Sequence, residues 1–370
     1  MRALILGGGV IGTSIAYRLA ARGVDVTLIE RSAIACAASG KSGGFLAMDW
    51  CDGTPLMELA RRSFALHAEL AEDLGGDWGY RRMASYGGIV GRRSTRASRG
   101  PRPGWVSPDV AISGQLGAAS TTAQVQPAAF TAAMMRAAQE RGAQLRLGRV
   151  TGLLRRGESV AGVHLEGETL EGDAIVIAMG PWSVLAAQWL ALPPVFGLKG
   201  HSLVLDTGAV IPPEALFLEY ADATDSTLSP EVFPRADGTT YVCAISSESP
   251  LPVDPDLVLP DDGAIDRLKA LCARISPVLA RSAVLTSQAC YRPVTQDGLP
   301  LIGPIPGVRG AYVATGHSVW GILNAPATAE ALAELMLDGA ARTIDLSPFD
   351  PSRLPALSPG RIATTRELRN

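Results

Sequence analysis

Ala3-Leu4-Ile5-Leu6-Gly7-Gly8-Gly9-Val10-Ile11-Gly12, continued by Thr13–Arg22, Gly23 and Val24–Glu30, is the stretch on which the fold turns. Four apolar residues read as a buried strand, the glycines as a tight turn, and Thr13–Arg22 as a helix that Gly23 ends. Val24–Ile29 is a second strand closing on Glu30. Gly7-x-Gly9-x-x-Gly12 between strand and helix is a dinucleotide fingerprint in its proper context. Gly7 permits the turn, Gly9 lets a pyrophosphate reach the backbone of Val10 and Ile11 at the helix N-terminus, and Gly12 lets the helix lie close on the strand. Glu30, at the end of the second strand, can take both ribose hydroxyls and would repel a 2′-phosphate. NAD and FAD satisfy this start equally.

Working outward, 370 residues with 47% hydrophobic and 19% charged side chains provide for two domains with buried cores. Lys and Arg number 33 against 36 Asp and Glu, a net of −3, so no basic field exists for nucleic acid or an anionic membrane. Five cysteines without a C-x-x-C point to neither a zinc site nor a disulfide framework. No apolar run approaches the ~20 residues of a membrane span, and Met1 leads straight into the first strand rather than a signal peptide. A cytoplasmic protein is expected, with monomer and homodimer both open. Leu56, Leu59, Leu66, Leu70 and Leu74 predict an amphipathic helix, and Pro127 opens another to about Arg141. Strands are expected at 143–154, 160–165 and 173–178, then a strand-rich stretch from Val195 to Ala289 with one helix near 263–275. A strand near Ala311–Ala314, a helix from about Ala325 to Leu337 and a loose proline-bearing arm beyond Asp345 complete the chain.

Four further blocks carry small residues where a backbone meets a ligand. They are Ser39-Gly40-Lys41-Ser42-Gly43-Gly44, Ala178-Met179-Gly180-Pro181-Trp182, Arg292-Pro293-Val294-Thr295-Gln296-Asp297-Gly298-Leu299-Pro300-Leu301-Ile302-Gly303, and Gly316-His317-Ser318-Val319-Trp320-Gly321-Ile322-Leu323-Asn324-Ala325-Pro326. Together with the fingerprint, and in this order, they resemble the D-amino-acid oxidase superfamily of FAD enzymes, to which glycine oxidase and sarcosine oxidase belong. The resemblance runs from Met1 to about Gly339.

The resemblance implies an α/β chain with a Rossmann-like FAD domain (1–80, 140–196 and 288–344) interleaved with an antiparallel substrate domain (81–139 and 197–287), and a C-terminal arm (345–370). Gly7, Gly9, Val10, Ile11, Gly12, Glu30 and Arg31 would hold the ADP half, with Val150 at the adenine. Ser39, Lys41, Ser42, Gly43 and Gly44 would line the pyrophosphate and flavin. Ala178, Gly180 and Trp182 would flank the cofactor, and Gly316, His317, Trp320, Gly321 and Ile322 would close over the isoalloxazine ring. A helix N-terminus near Ile322–Ala325 would lend positive dipole to the reduced flavin.

Arg292 stands where family members bind a substrate carboxylate, and a guanidinium does so bidentately. The competing reading is a structural arginine paired with an acid such as Asp297. Tyr291, Tyr241 and Trp320 are candidate pocket walls. His317 is either cofactor-loop packing or a catalytic group. Cys290 lies at the spacing of the cysteine that sarcosine oxidase joins to its flavin, so a covalent link and a plain buried thiol both stand. The implied activity is oxidation of the C–N bond of a small amino acid or secondary amine by hydride transfer to flavin N5, with O2 as acceptor giving H2O2. A quinone or other acceptor, and a flavoprotein acting in assembly or trafficking, are the alternatives. Two departures bear on this. Val319 and Trp320 replace polar side chains of glycine oxidase, and Pro252 stands where sarcosine oxidase carries the lysine associated with oxygen attack.

Overall fold

Alternation along the first strand sets the layer order. In Arg2–Leu6, Ala3 and Ile5 point to one face and Leu4 and Leu6 to the other, and all four are buried. A strand covered on both sides belongs in a parallel sheet with layers above and below. The computed structural model describes residues 1–91, 102–221 and 227–357. In it Arg2–Leu6 lies in a six-stranded sheet ordered Leu301–Pro304, Ala311–Thr315, Ala174–Ile177, Arg2–Leu6, Asp25–Glu30, Gln144–Leu147. All neighbours are parallel except the Leu301–Pro304 edge.

The helices are α1 (Val10–Ala21), α2 (Met57–Asp73), α3 (Pro127–Gln139), α4 (Ala264–Ile275), α5 (Pro277–Arg281) and α6 (Gly321–Asp338). Ala3, Ile5, Val26, Leu28 and Val176 pack under α1, α2, α3 and α6. Leu4, Leu6, Ile175 and Ile177 meet Val160, Val163 and Leu165 of an antiparallel meander on the other side. Each such side chain removed from water contributes about 1.5–3 kcal/mol.

A second sheet runs Ala283–Val294, Phe196–Asp206, Thr239–Ser247, Glu231–Pro234, Glu214–Ala221, Ala84–Val90, Val110–Gly117. Its pairs are antiparallel apart from Glu214–Ala221 with Ala84–Val90. Leu203, Val232 and Val242 face α4 through Leu268, Leu271 and Ile275. The alternate residues Phe233, Tyr241 and Cys243 face the first layer.

Three expectations need correction. Helix α6 begins at Gly321, four residues ahead of Ala325. Proline suits the first turn of a helix, yet Pro326 sits deeper, where it removes the donor that Ile322 C=O would use. Ala327 N–H turns aside to Ser63 Oγ at 3.0 Å. His67 Nε2 on α2 donates to the stranded Ile322 and Leu323 carbonyls at 3.0 and 3.2 Å. Two side chains of α2 thus offset a break that costs about 3 kcal/mol unaided. The chain after Asp345 is not loose through residue 357. Phe349 is buried against the α-helical core, and Arg353 bonds Asp297 Oδ2 and Leu299 O, both at 2.7 Å. Finally, α5 and the strand Glu168–Glu171 carry too few residues to give a periodic signal and were not expected. Residues 92–101, 222–226 and 358–370, which fall in the expected substrate domain and arm, lie outside the described residues.

Candidate functional site

The two layers enclose a cavity of about 1020 Å³, at the upper end of small-molecule sites. One end is built by the glycine turn. Gly9 is the N-cap of α1, and Val10 N–H donates to Ser39 Oγ at 2.9 Å. Glu30 closes the turn from below, its carboxylate accepting from Gly8 N–H at 2.6 Å and Ser32 N–H at 2.9 Å. Gly7, Ile11, Glu30, Arg31 and Val150 share this end of the wall. Gly12 does not reach it. A Cβ there would lie 2.0 Å from Gly7 O, so its role is close packing of helix on turn. Arg31 donates to Val253 O at 2.9 Å and Asp254 Oδ2 at 2.6 Å, tying the 250–256 segment across the cavity mouth. Trp182 Nε1 holds the same segment through Pro252 O at 2.8 Å.

The middle of the wall is backbone-rich. Ser39, Ser42, Gly43 and Gly44 face Ala178 and Gly180 from one side and Gly316, His317, Gly321 and Ile322 from another. A Cβ on Gly43 would meet the Phe233 ring at 2.2 Å, so only glycine lets this turn lie flush on the second sheet. The side chain of Lys41 is not on the wall; its carbonyl accepts from Gln288 Nε2 at 3.2 Å. Ser42 Oγ and His317 Nδ1 are buried on the cavity with no partner among the described residues. The N-terminus of α6, which has no side-chain cap, opens at the same place. Unspent donors and acceptors, bare backbone and a carboxylate at the nucleotide end fit a flavin dinucleotide.

At the far end strand alternation decides which side chains matter. Cys290 and Arg292 face the cavity, so Tyr291 between them faces away. Tyr291 is buried on the other side with its OH donating to Pro250 O at 2.7 Å, which removes it from the expected pocket wall. Arg292 lies beside Gly200, whose Cβ would come within 3.5 Å of its guanidinium, and donates to Ser246 Oγ at 3.2 Å. Burial works against the Arg292 charge, but Cys243, Glu231 and Tyr241 around it outweigh burial and raise its pKa. Asp297, the partner considered for a structural arginine, is held by Arg353 at 2.7 Å instead. Tyr241 and Trp320 are on the wall, joined by three residues that sequence reasoning passed over: Trp50, Phe217 and Phe233. Phe217 meets Trp50 at 4.6 Å and Phe45 at 4.8 Å, and Phe233 stacks on Tyr241 at 6.1 Å.

Glu231 and Cys243 were also missed. Burial raises the Glu231 pKa, opposed by the Arg292 charge and the Cys243 thiol, which donates to Glu231 Oε2 at 3.4 Å. A signal existed. Ala236-Asp237-Gly238 is a three-residue hairpin loop with Gly238 at φ 82°, and counting outward from it pairs Phe233 with Tyr241 and Glu231 with Cys243.

Two of the buried histidines, His67 and His317, set an acid limit. Burial lowers His67 to about 4, and burial lowers His317, whose ring bonds Thr328 Oγ1 at 3.0 Å, to about 3. The unfolded chain takes up protons near pH 6.5 while the folded chain refuses them. Stability is therefore complete above about 6.5 and lost as pH falls toward the folded values, by about 1.4 kcal/mol per unit for each ring. Thermal denaturation should show Tm dropping steeply from pH 6.5 to 5; a flat Tm across that window would contradict the neutral assignment.

Comparison with known proteins identifies the family and the fold. A Schizosaccharomyces pombe protein described as an oxidoreductase is 29% identical over 94% of this chain and 97% of its own. Glycine oxidase of Geobacillus kaustophilus is 26% identical over 94% of this chain and 96% of its own. A crystal structure of glycine oxidase from the same organism superimposes with a TM-score of 0.80 at 25% identity, covering 95% of this chain and 99% of that one. L-proline dehydrogenase of P. horikoshii shares the fold, with a TM-score of 0.77 at 20% identity over 95% and 97% of the two chains. Because residues 2–335 match the family model for the FAD dependent oxidoreductases of the DAO group, spanning both the glycine turn and the arginine wall, the chain belongs to that family.

Proposed function

We propose that this FAD-dependent oxidoreductase oxidises the C–N bond of a small carboxylated amine, an amino acid or N-alkyl amino acid, with O2 as the acceptor. The observation that carries the reading is Arg292, a half-buried guanidinium on the cavity whose one side-chain hydrogen bond among the described residues is to a serine. Its remaining donors match a carboxylate. On this reading the six-stranded layer holds the cofactor and the second sheet presents the substrate. FAD accepts a hydride when bound. The residues of this chain fix the carboxylate at Arg292, shield the reacting carbon with Trp50, Phe217, Phe233 and Trp320, and present the α6 N-terminus to developing negative charge.

The test is an anaerobic flavin-bleaching screen over D- and L-amino acids and N-methyl amino acids, with descarboxy amines as controls. Bleaching by a carboxylated amine and not by its descarboxy analogue supports the reading; bleaching by both removes Arg292 from it. Admitting air should restore the colour within seconds and release H2O2, whereas a slow return would assign the electrons to another acceptor.

Cys290 faces this cavity, but burial pushes its thiol up, with Arg292 and Lys41 pulling only partly against that. Because the thiolate is the reactive form, we assign Cys290 as a plain thiol and the FAD as non-covalent. Acid precipitation should leave all yellow colour in the supernatant; colour in the pellet would reverse the assignment.

A further inference from the structure

The second sheet brings two opposite charges to one wall without joining them. Glu231 and Arg292 stand on strands with two others between them, in the order Ala283–Val294, Phe196–Asp206, Thr239–Ser247, Glu231–Pro234. Gly200, opposite Cys290 in register, leaves the space over which the Arg292 side chain lies. Cys243, opposite Glu231, fills the row from the other side. The two charges sense each other yet make no ion pair, although both are on the cavity. Among the described residues Glu231 has one side-chain hydrogen bond, from a thiol, which is a weak donor. The wall around them is aromatic: Phe217, Phe233, Tyr241 and Trp50.

A carboxyl and a guanidinium that lose water on an aromatic wall without an ion-pair partner each carry a desolvation cost that a bound partner of opposite charge offsets. One molecule offsets both if it bears a carboxylate at one end and a cationic amine at the other. We propose that Glu231 is the amine subsite of this pocket, so that the protein selects zwitterionic amino acids over carboxylates lacking the amine. This rests on the reading of Arg292 as the carboxylate site. Burial raises the Glu231 pKa, opposed by Arg292, and since the ionised carboxyl is the form that takes a cationic amine, amino-acid binding should strengthen as pH rises.

The test uses the FAD-loaded protein, its flavin absorbance as the binding signal under anaerobic conditions, and two ligand pairs that differ only in the α-amine: alanine against propionate, and phenylalanine against 3-phenylpropionate, with both enantiomers of each amino acid. Glu231→Gln should retain its flavin and Tm, weaken the amino acid at least tenfold, and leave the matching carboxylate unchanged or several-fold tighter. The rise of amino-acid affinity with pH should vanish in E231Q and persist in E231D. Equal weakening of both members of a pair, or no change in either, overturns the amine subsite while leaving the carboxylate site standing. Carboxylates that bind Arg292→Met as well as the wild type overturn the carboxylate site, and a wild type that binds no member of either pair overturns both.

Discussion

Gly12→Ala should give a protein that is purified almost colourless. The new Cβ would sit 2.0 Å from Gly7 O and 3.4 Å from Ile5 Cγ2. Neither neighbour has room to retreat. Gly7 adopts φ 115° and is itself wedged against Ala178, where a Cβ would fall 2.4 Å from the Ala178 carbonyl. The glycine turn must therefore shift by about an ångström, and the Gly9–Ile11 backbone that faces the nucleotide shifts with it. Overpacking of this kind costs about 1–3 kcal/mol of stability. The same displacement at the pyrophosphate should weaken FAD by on the order of 10²-fold, since each 1.4 kcal/mol is a factor of ten. The ratio of flavin to protein absorbance and a titration of the apoprotein with FAD measure both. Wild-type flavin content and affinity in G12A would show that Gly12 does not hold the turn in place.

Arg292→Met is expected to keep its flavin and lose its substrate. Methionine fills the space beside Gly200 without clash but supplies no donors, and a truncated buried charge pair costs about 2–5 kcal/mol, or roughly 30-fold to several thousand-fold in kcat/KM for the carboxylated amine. The loss also removes the positive charge that lowers Glu231, so the carboxyl should become still harder to ionise. The decisive comparison is the rate of anaerobic flavin reduction in wild type and R292M at equal flavin content. An unchanged rate constant and unchanged KM would take the carboxylate site away from Arg292.

The aromatic wall follows the departure visible at Val319 and Trp320. Trp320 does join the cavity, 6.5 Å from Trp50, whereas Val319 touches the rim and is largely exposed. Trp50, Phe217 and Phe233 join Trp320 on the wall from other elements.

What the sequence determined by itself is local. The turn at Gly7–Gly12, the strand ending on Glu30, the buried run Ala174–Ile177 and the outward limits of α2, α3 and α4 all follow from glycine conformation and apolar period. Those forces act within a turn of helix or across one strand, and the residues that exert them are neighbours in the chain. The resemblance added the family and placed Arg292, because its motif is short and continuous. The tertiary structure decided what depends on partners far apart in the chain. Helix α6 could start at Gly321 only because Ser63 and His67 of α2 supply the hydrogen bonds that Pro326 forfeits. Tyr291 was turned out of the cavity by the pairing register of its strand, while Asp297 was claimed by Arg353 of the C-terminal segment. Glu231 and Arg292 came to one cavity wall through strand order, and no spacing along the chain encodes which strands lie side by side.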